Sequence, residues 1–390
     1  MRTTESTALA LDRDLTFGGY AFGYHVRTGA GAWPELLERL AALDVDRFVL
    51  VTDDAFPMEM AREARTRIAS VRDCTLLTFP ASEAAKTVHT VEALSARAEE
   101  EADITVASCI IALGGGLVAN VGGFLAATQF RGLPLVHIPT TLLSMADVMP
   151  SLKQGVNTRA GKNHLGAYKA PEFVWNDLSY LRHLPTQEIR SALCEMIKFI
   201  LTVPPPGSAD YETAIAALRP DGQYADEQFL HFIRLCVEAK CSVMADDPHE
   251  AGEGLIFEYG HTVGHPIELL ASLSGQRPIA HGIAVGLGML VSAHVSRAMG
   301  MLSDEEVAHH ADLLRRNGAM TAIPAELPTQ DILRMVGHDN KRGRLRPLSK
   351  GAYNMVLLRQ LREPNRTRGT VLTQVEAGLV RDAIEAHKVH

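Results

Sequence analysis

The chain has 390 residues, of which 46% are hydrophobic and 31 are glycine, enough to bury a large core and more than one core usually serves. Its net charge of -8 contains no block of lysine or arginine, so nucleic acid is not an expected partner and any anionic ligand must meet local cations. The five cysteines, Cys74, Cys109, Cys194, Cys236 and Cys241, are odd in number and lack CxxC spacing, which indicates reduced thiols in a cytoplasmic protein rather than a disulfide framework.

In chain order, the opening MRTTESTALALDRD has neither a leader nor a transit pattern. Short β-branched runs follow, alternating with helical patterns: Arg47–Asp54, Cys74–Pro80, Cys109–Gly116 and Leu133–Thr141. Such continuously apolar runs predict βαβ units in a parallel, doubly wound sheet covered on both faces, with ligands at the carboxyl ends of the strands. From about Thr186 the texture becomes amphipathic and helical, over Thr186–Leu201, Glu227–Met244, Ile279–Met299 and Ser303–Asn317, with Tyr353–Leu358 as the one strand expected there. VPPPGS at Val203–Ser208 marks a loop, and there is no internal repeat. The most apolar helical stretch, Ile283–Val291, is too short to span a bilayer, so no membrane association is expected.

GGGLVANVGGF, Gly114–Phe124, follows a predicted strand and opens a predicted helix, where backbone amides can approach a dinucleotide pyrophosphate. Its spacing is not GxGxxG, so a tight turn is the alternative. Asp53, closing the first strand, is placed to accept a ribose hydroxyl or to cap its own loop. Downstream, Glu195, His261 and His281 supply a carboxylate and two imidazoles from separate segments, a set able to hold a divalent ion with one position open. His261 with His265, at i, i+4 spacing, is the competing pair, and Pro266 after His265 is tolerable only within a first helical turn. Arg131, Lys153, Lys162, Asn163 and Lys341 are candidate donors to an anionic substrate, or else solvated surface groups.

SEAAKT (Ser82–Thr87), GGGLVANVGGF, FRG (Phe130–Gly132), PTTLLSMAD (Pro139–Asp147), GKN (Gly161–Asn163), CEMIK (Cys194–Lys198), EYGHTVGH (Glu258–His265) and AHG (Ala280–Gly282) together resemble the sugar-phosphate cyclase superfamily, whose archetype is dehydroquinate synthase. The resemblance covers roughly residues 45–385. It implies a Rossmann-like NAD-binding α/β domain over residues 1–185 and a mostly α-helical metal- and substrate-binding domain over residues 186–390. Within the superfamily the chain is most similar to the 2-deoxy-scyllo-inosose synthase branch, which forms a carbocycle from glucose 6-phosphate in aminoglycoside antibiotic biosynthesis. Glu258 stands where dehydroquinate synthases carry asparagine, Asn120 where they carry aspartate, and their arginine near Gly254 is missing, in keeping with a substrate that has no carboxylate. KNHLGAY (Lys162–Tyr168) resembles the 2-epi-5-epi-valiolone synthases instead, and the two-domain plan is similar to that of metal-dependent polyol dehydrogenases. Met149, Pro150, Phe199 and Pro266 depart from the family pattern.

Carried over position by position, the resemblance implies Glu195, His261 and His281 as ligands of a divalent zinc or cobalt ion. Asp53, Glu83, Lys86, Gly115, Gly116, Asn120, Thr140, Thr141, Asp147 and Lys162 are implied as NAD contacts. Asp147, Lys153, Asn163, Lys240, His265 and Lys341 are implied as sugar-phosphate contacts, with Arg131 reaching the phosphate in the neighbouring subunit of a homodimer. Glu258 and His265 are the expected proton-transfer groups, and Lys153 and Lys240 orient substrate oxygens. The implied reaction is oxidation at the fourth carbon, loss of phosphate, return of the hydride, ring opening and aldol closure, with no net redox change.

Overall fold

The computed structural model describes residues 9–29, 31–159, 161–207, 209–274, 278–347 and 349–389. Residues 1–8 of the N-terminal stretch and Ser208 of the VPPPGS loop lie outside the described residues. Two compact units emerge: one runs to Leu184 and includes Ala225–Leu230, and the other comprises Pro185–Tyr224 and the chain from His231 onward.

In the first unit the expected apolar runs form strands because both of their faces are covered. The elements are β1 (Ala10–Phe17), β2 (Tyr20–Arg27), α1 (Ala32–Ala41), β3 (Phe48–Asp53), α2 (Met58–Ala69), β4 (Cys74–Phe79), α3 (Val88–Ala102), β5 (Cys109–Gly114), α4 (Gly116–Thr128), β6 (Leu135–Pro139), β7 (Lys153–Thr158), β8 (Gly161–Tyr168) and β9 (Phe173–Asp177). The main sheet has the order β1-β2-β9-β6-β5-β3-β4. Every residue of β5 and β6 is buried, as expected for central strands between two helical layers. One core packs α3 and α4 against one face and the other packs α1 and α2 against the opposite face.

The expectation of a purely parallel sheet fails at one edge, where β1 runs antiparallel to β2. Gly18 and Gly19 join these strands with φ of 52° and 92°, values that a two-residue hairpin turn needs and that glycine adopts at little cost. β1 is half exposed and reads as polar alternation, so it carries none of the continuous apolarity that identified the central strands. α4 lies close to the sheet: a Cβ on Gly122 would stand 3.0 Å from the Cβ of Ala112, and one on Gly123 would strike the Gln154 side chain. The paired glycines in NVGGF therefore serve helix–strand packing.

The second unit contains α5 (Thr186–Thr202), α6 (Tyr211–Ala217), most of α7 (Asp226–Met244), α8 (His261–Leu273), α9 (His281–Ala298), α10 (Asp304–Arg316), α11 (Thr329–Val336), β10 (Ala352–Val356), β11 (Leu358–Gln360), β12 (Glu363–Pro364), β13 (Leu372–Glu376) and α12 (Ala377–Ala386). α5 ends where the proline run begins. Tyr353–Leu358 is not the one strand here: β10 pairs antiparallel with β13, and β11 with β12. The missed strands are short and hold Thr373, Gln374 and Glu376, weak material for an apolarity count. No helix among the described residues is long and apolar enough to cross a membrane.

Candidate active site: a metal centre and a nucleotide cleft

In the second unit α5, α8 and α9 deliver one acidic and three imidazole side chains to one place. Small residues allow the approach. A Cβ on Gly282 would fall 1.9 Å from the Ser191 carbonyl oxygen, and one on Gly288 would fall 1.9 Å from that of Gly260. Gly260 itself caps α8 at φ 82°. The glycines of AHG and YGH are thus packing requirements that set His281 and His261 at the starts of their helices.

One ligand atom from each of His261, His265 and His281 lies within 4.8 Å of the others. Glu195 Oε1 stands 3.4 Å from His281 Nε2 and 3.8 Å from His261 Nε2. The edge of a tetrahedron with metal–ligand bonds of ~2.1 Å is about 3.4 Å, so these separations suit a divalent ion. Glu195 is ion-paired with Lys198, yet neither of its buried oxygens receives a hydrogen bond of good geometry among the described residues. A carboxylate left in that condition inside a protein is the donor a cation needs.

The imidazoles are held in defined orientations. His281 Nδ1 meets Glu268 Oε2 at 3.0 Å, and His261 Nδ1 donates to the Tyr259 carbonyl at 3.2 Å, so both rings turn Nε2 toward Glu195. Tyr259 is fixed in turn through its hydroxyl on His310. Burial opposes ionisation of Glu195, but the Lys198 ammonium and the two imidazoles outweigh it and hold the carboxyl well below its usual range. Burial and Lys198 bring His261 down to about 4. His265 is depressed by burial and by its two histidine neighbours. Burial also disfavours the charged His281, but the close approach of the Glu195 carboxylate and the hydrogen bond to Glu268 raise it to about 10.

Glu258 sits just before α8, with its Oε2 3.0 Å from the Lys341 ammonium. Lys240 is buried with its ammonium 5.5 Å from the centre of the Phe257 ring. Phe199, one of the departures from the family pattern, packs edge-on against Phe257 at 5.5 Å. Pro266 lies inside α8 beyond its first turn, so the Thr262 carbonyl loses its helical donor, and the helix nonetheless continues to Leu273.

In the first unit the carboxyl ends of β3 and β5 flank the point where chain connections diverge, β3 to β4 on one side and β5 to β6 on the other. Gly115 is the N-cap of α4 without a side-chain cap, and Gly116 is its first residue, so backbone amides face the crevice. Thr140 is buried at the end of β6, and the Thr141 hydroxyl bonds Ser144 across the turn that carries Asp147. Asn120 is tied to the scaffold: its Nδ2 donates to the Gly116 carbonyl at 2.8 Å and its Oδ1 accepts from the Gly155 amide at 2.7 Å. Asp53 Oδ1 accepts the amides of Ala55 and Phe56, which is the loop-cap arrangement.

The SEAAKT segment and the β7–β8 hairpin are tied together. Lys86 donates to Asn163 Oδ1 at 2.6 Å, Lys162 lies 3.4 Å from Glu83, and Asn157 bonds both Glu83 and the Asn163 amide. Lys153 begins β7 on its exposed side. Arg131 stands apart from this network on an exposed turn, with φ of 71° after Phe130 at 48°.

The family models for the 3-dehydroquinate synthase N-terminal and C-terminal domains match residues 76–191 and 192–342. The chain belongs to the 3-dehydroquinate synthase family. It is 37% identical to a 2-deoxy-scyllo-inosose synthase of Streptoalloteichus tenebrarius, over 95% of this chain and 93% of that one. It is 39% identical to another from Micromonospora echinospora, over 93% and 89%. A crystal structure of 2-deoxy-scyllo-inosose synthase with carbaglucose-6-phosphate, NAD+ and Co2+ superposes with a TM-score of 0.89 at 31% identity, covering 97% of this chain and 100% of that one.

Sequence reasoning passed over the residues that hold the site rather than form it. Lys198 was visible in CEMIK at i, i+3 from Glu195, and Glu268 lies seven residues after His261 on α8. Asn157 and Asp339 carried no spacing signal, because their roles depend on loops brought together by the fold.

Proposed function

We propose that this protein is an NAD- and divalent-metal-dependent lyase that converts glucose 6-phosphate to 2-deoxy-scyllo-inosose with release of phosphate, in aminoglycoside antibiotic biosynthesis. The observation that carries this reading is the convergence of Glu195, His261 and His281, both histidines having Nδ1 engaged and Nε2 turned to the carboxylate, in a chain closely related to inosose synthases. Bound, NAD supplies a reversible hydride acceptor and a cobalt or zinc ion supplies Lewis acidity to adjoining hydroxyls.

Glu195 and the two Nε2 atoms hold the ion, while His265, kept neutral by its burial, accepts or returns a proton. Glu258 takes the proton from the carbon beside the oxidised centre before phosphate departs. Lys153, Lys240, Asn163 and Asp147 orient substrate oxygens, and Arg131 serves the phosphate of the neighbouring subunit in a cytoplasmic homodimer. The α4 amides at Gly115 and Gly116 receive the pyrophosphate of NAD, with Thr140, Thr141, Asp147, Glu83, Lys86 and Lys162 lining its site. Asn120 acts by fixing the Gly116 carbonyl, and Asp53 by shaping its loop and through its remaining oxygen.

Incubation with NAD, cobalt and glucose 6-phosphate should yield one phosphate per carbocycle at constant NADH, the product being identified by mass. Accumulating NADH would mark a polyol dehydrogenase. Preferential turnover of sedoheptulose 7-phosphate, or of the heptulosonate precursor of dehydroquinate, would move the protein to another cyclase branch.

A further inference from the structure

Lys341, in the turn after α11, is fully buried. Its ammonium donates to Glu258 Oε2 at 3.0 Å, Asp339 Oδ2 at 3.0 Å and Asn340 Oδ1 at 3.2 Å. An ammonium has three N–H donors, and these three acceptors take them all. The turn is pinned as well: the Lys341 amide donates to Asp339 Oδ1, and Asn354 of β10 donates to the Lys341 carbonyl, both at 2.9 Å. A lysine held in this way has no donor left for a sugar oxygen. What it determines is the charge and aim of Glu258.

Two carboxylates share one cation here. Facing Lys341 alone, Glu258 would be locked in a tight pair and would be a poor proton acceptor. Asp339 draws off part of that attraction. We propose that Asp339 is a positioning residue of the cyclisation: it divides the Lys341 ammonium with Glu258, keeping Glu258 aimed and able to accept a proton, and Lys341 acts through Glu258 without touching the sugar phosphate. The inference rests on Glu258 being the base of the proposed reaction.

The surroundings agree with this division. Burial, partly offset by Lys341, raises the Asp339 carboxyl. Burial disfavours the Lys341 ammonium, but the two carboxylates hold it above its ordinary range. Among the described residues, His261 and His265 of α8 also feel the Glu258 charge. Lys198 and Lys240, on the neighbouring α5 and α7, lie over the Phe199 and Phe257 rings.

The test is phosphate release from glucose 6-phosphate by the full-length, NAD- and cobalt-loaded enzyme across pH, for wild type, Asp339→Asn, Asp339→Glu and Lys341→Met. Asp339→Asn should lower kcat about tenfold or more, leave KM within about twofold, and move the acid limb of the kcat profile down by about one pH unit. Lys341→Met should move that limb up, and Asp339→Glu should recover part of kcat. Wild-type kcat in Asp339→Asn, a raised KM at unchanged kcat, or both variants moving the limb in the same direction would overturn the inference. If Lys341→Met does not fold, the kcat and KM of Asp339→Asn and the direction of its limb decide the question alone. A wild-type enzyme that releases no phosphate refutes the parent reading itself, and the inference falls with it.

Discussion

Replacing Glu268 with Gln removes a charge from the far side of His281 while keeping an oxygen for its Nδ1–H. The bond spans 3.0 Å and the Glu268 side chain is 17% exposed, so water screens it only in part. A hydrogen bond to a charged partner contributes ~1.5–3 kcal/mol and a neutral one ~0.5–1.5 kcal/mol. The difference, about 1–1.5 kcal/mol, corresponds to roughly a tenfold loss of metal affinity. Glu268→Ala also deletes the acceptor and should approach the ~100-fold loss seen when such supporting partners are removed. Chelator competition with Co2+ on the purified apo-protein measures both constants, and NAD affinity serves as the control for general damage. Affinities within twofold of wild type for both variants, or an equal loss of NAD binding, would refute the argument that Glu268 orients the ligand.

Glu258→Gln should abolish most phosphate release while Co2+ affinity stays within about threefold, because the side chain is assigned to proton transfer and not to the ion; full activity with metal retained would remove Glu258 from the mechanism. Gly282→Ala should cost about 3 kcal/mol or more, since the new methyl meets a backbone oxygen that cannot swing away, and a melting temperature equal to wild type would contradict that packing. His137, on β6, is fully buried with both ring nitrogens unpartnered among the described residues, and burial lowers it from 6.5 to about 4. Its folded value lies below its unfolded one, so the stability tied to its neutral form is present above pH 6.5 and is lost as pH falls toward about 4. His137→Leu should therefore be neutral or stabilising at pH 7 and gain about 2 kcal/mol relative to wild type on going to pH 5, at ~1.36 kcal/mol per unit. A urea-unfolding difference that is the same at both pH values would contradict this.

The parts of the fold visible in the sequence were those with one dominant cause. β3, β5 and β6 are apolar on both faces, and α5 and α10 carry a periodic apolar stripe, so burial alone identifies them. β1, β7 and β8 are polar or exposed and owe their existence to hairpin pairing, β1 with β2 and β7 with β8, rather than to burial of both faces. The site divides along the same line. Glu195, His261 and His281 stand out because a carboxylate and imidazoles are scarce on apolar helices. Asp339, Asn157 and Glu268 look like ordinary polar residues until the fold sets them against Lys341, Asn163 and His281. Asn120 shows the converse: it sits inside the glycine-rich motif, yet its amide is used by the scaffold.

The account depends most on one cation joining Glu195 to His261 and His281. Anomalous diffraction at the cobalt edge from crystals of the cobalt-loaded protein tests this directly. The predicted result is a single strong peak within about 2.0–2.3 Å of a Glu195 oxygen and of both Nε2 atoms. A peak held elsewhere, or held by His265 with Glu195 uninvolved, would contradict the account.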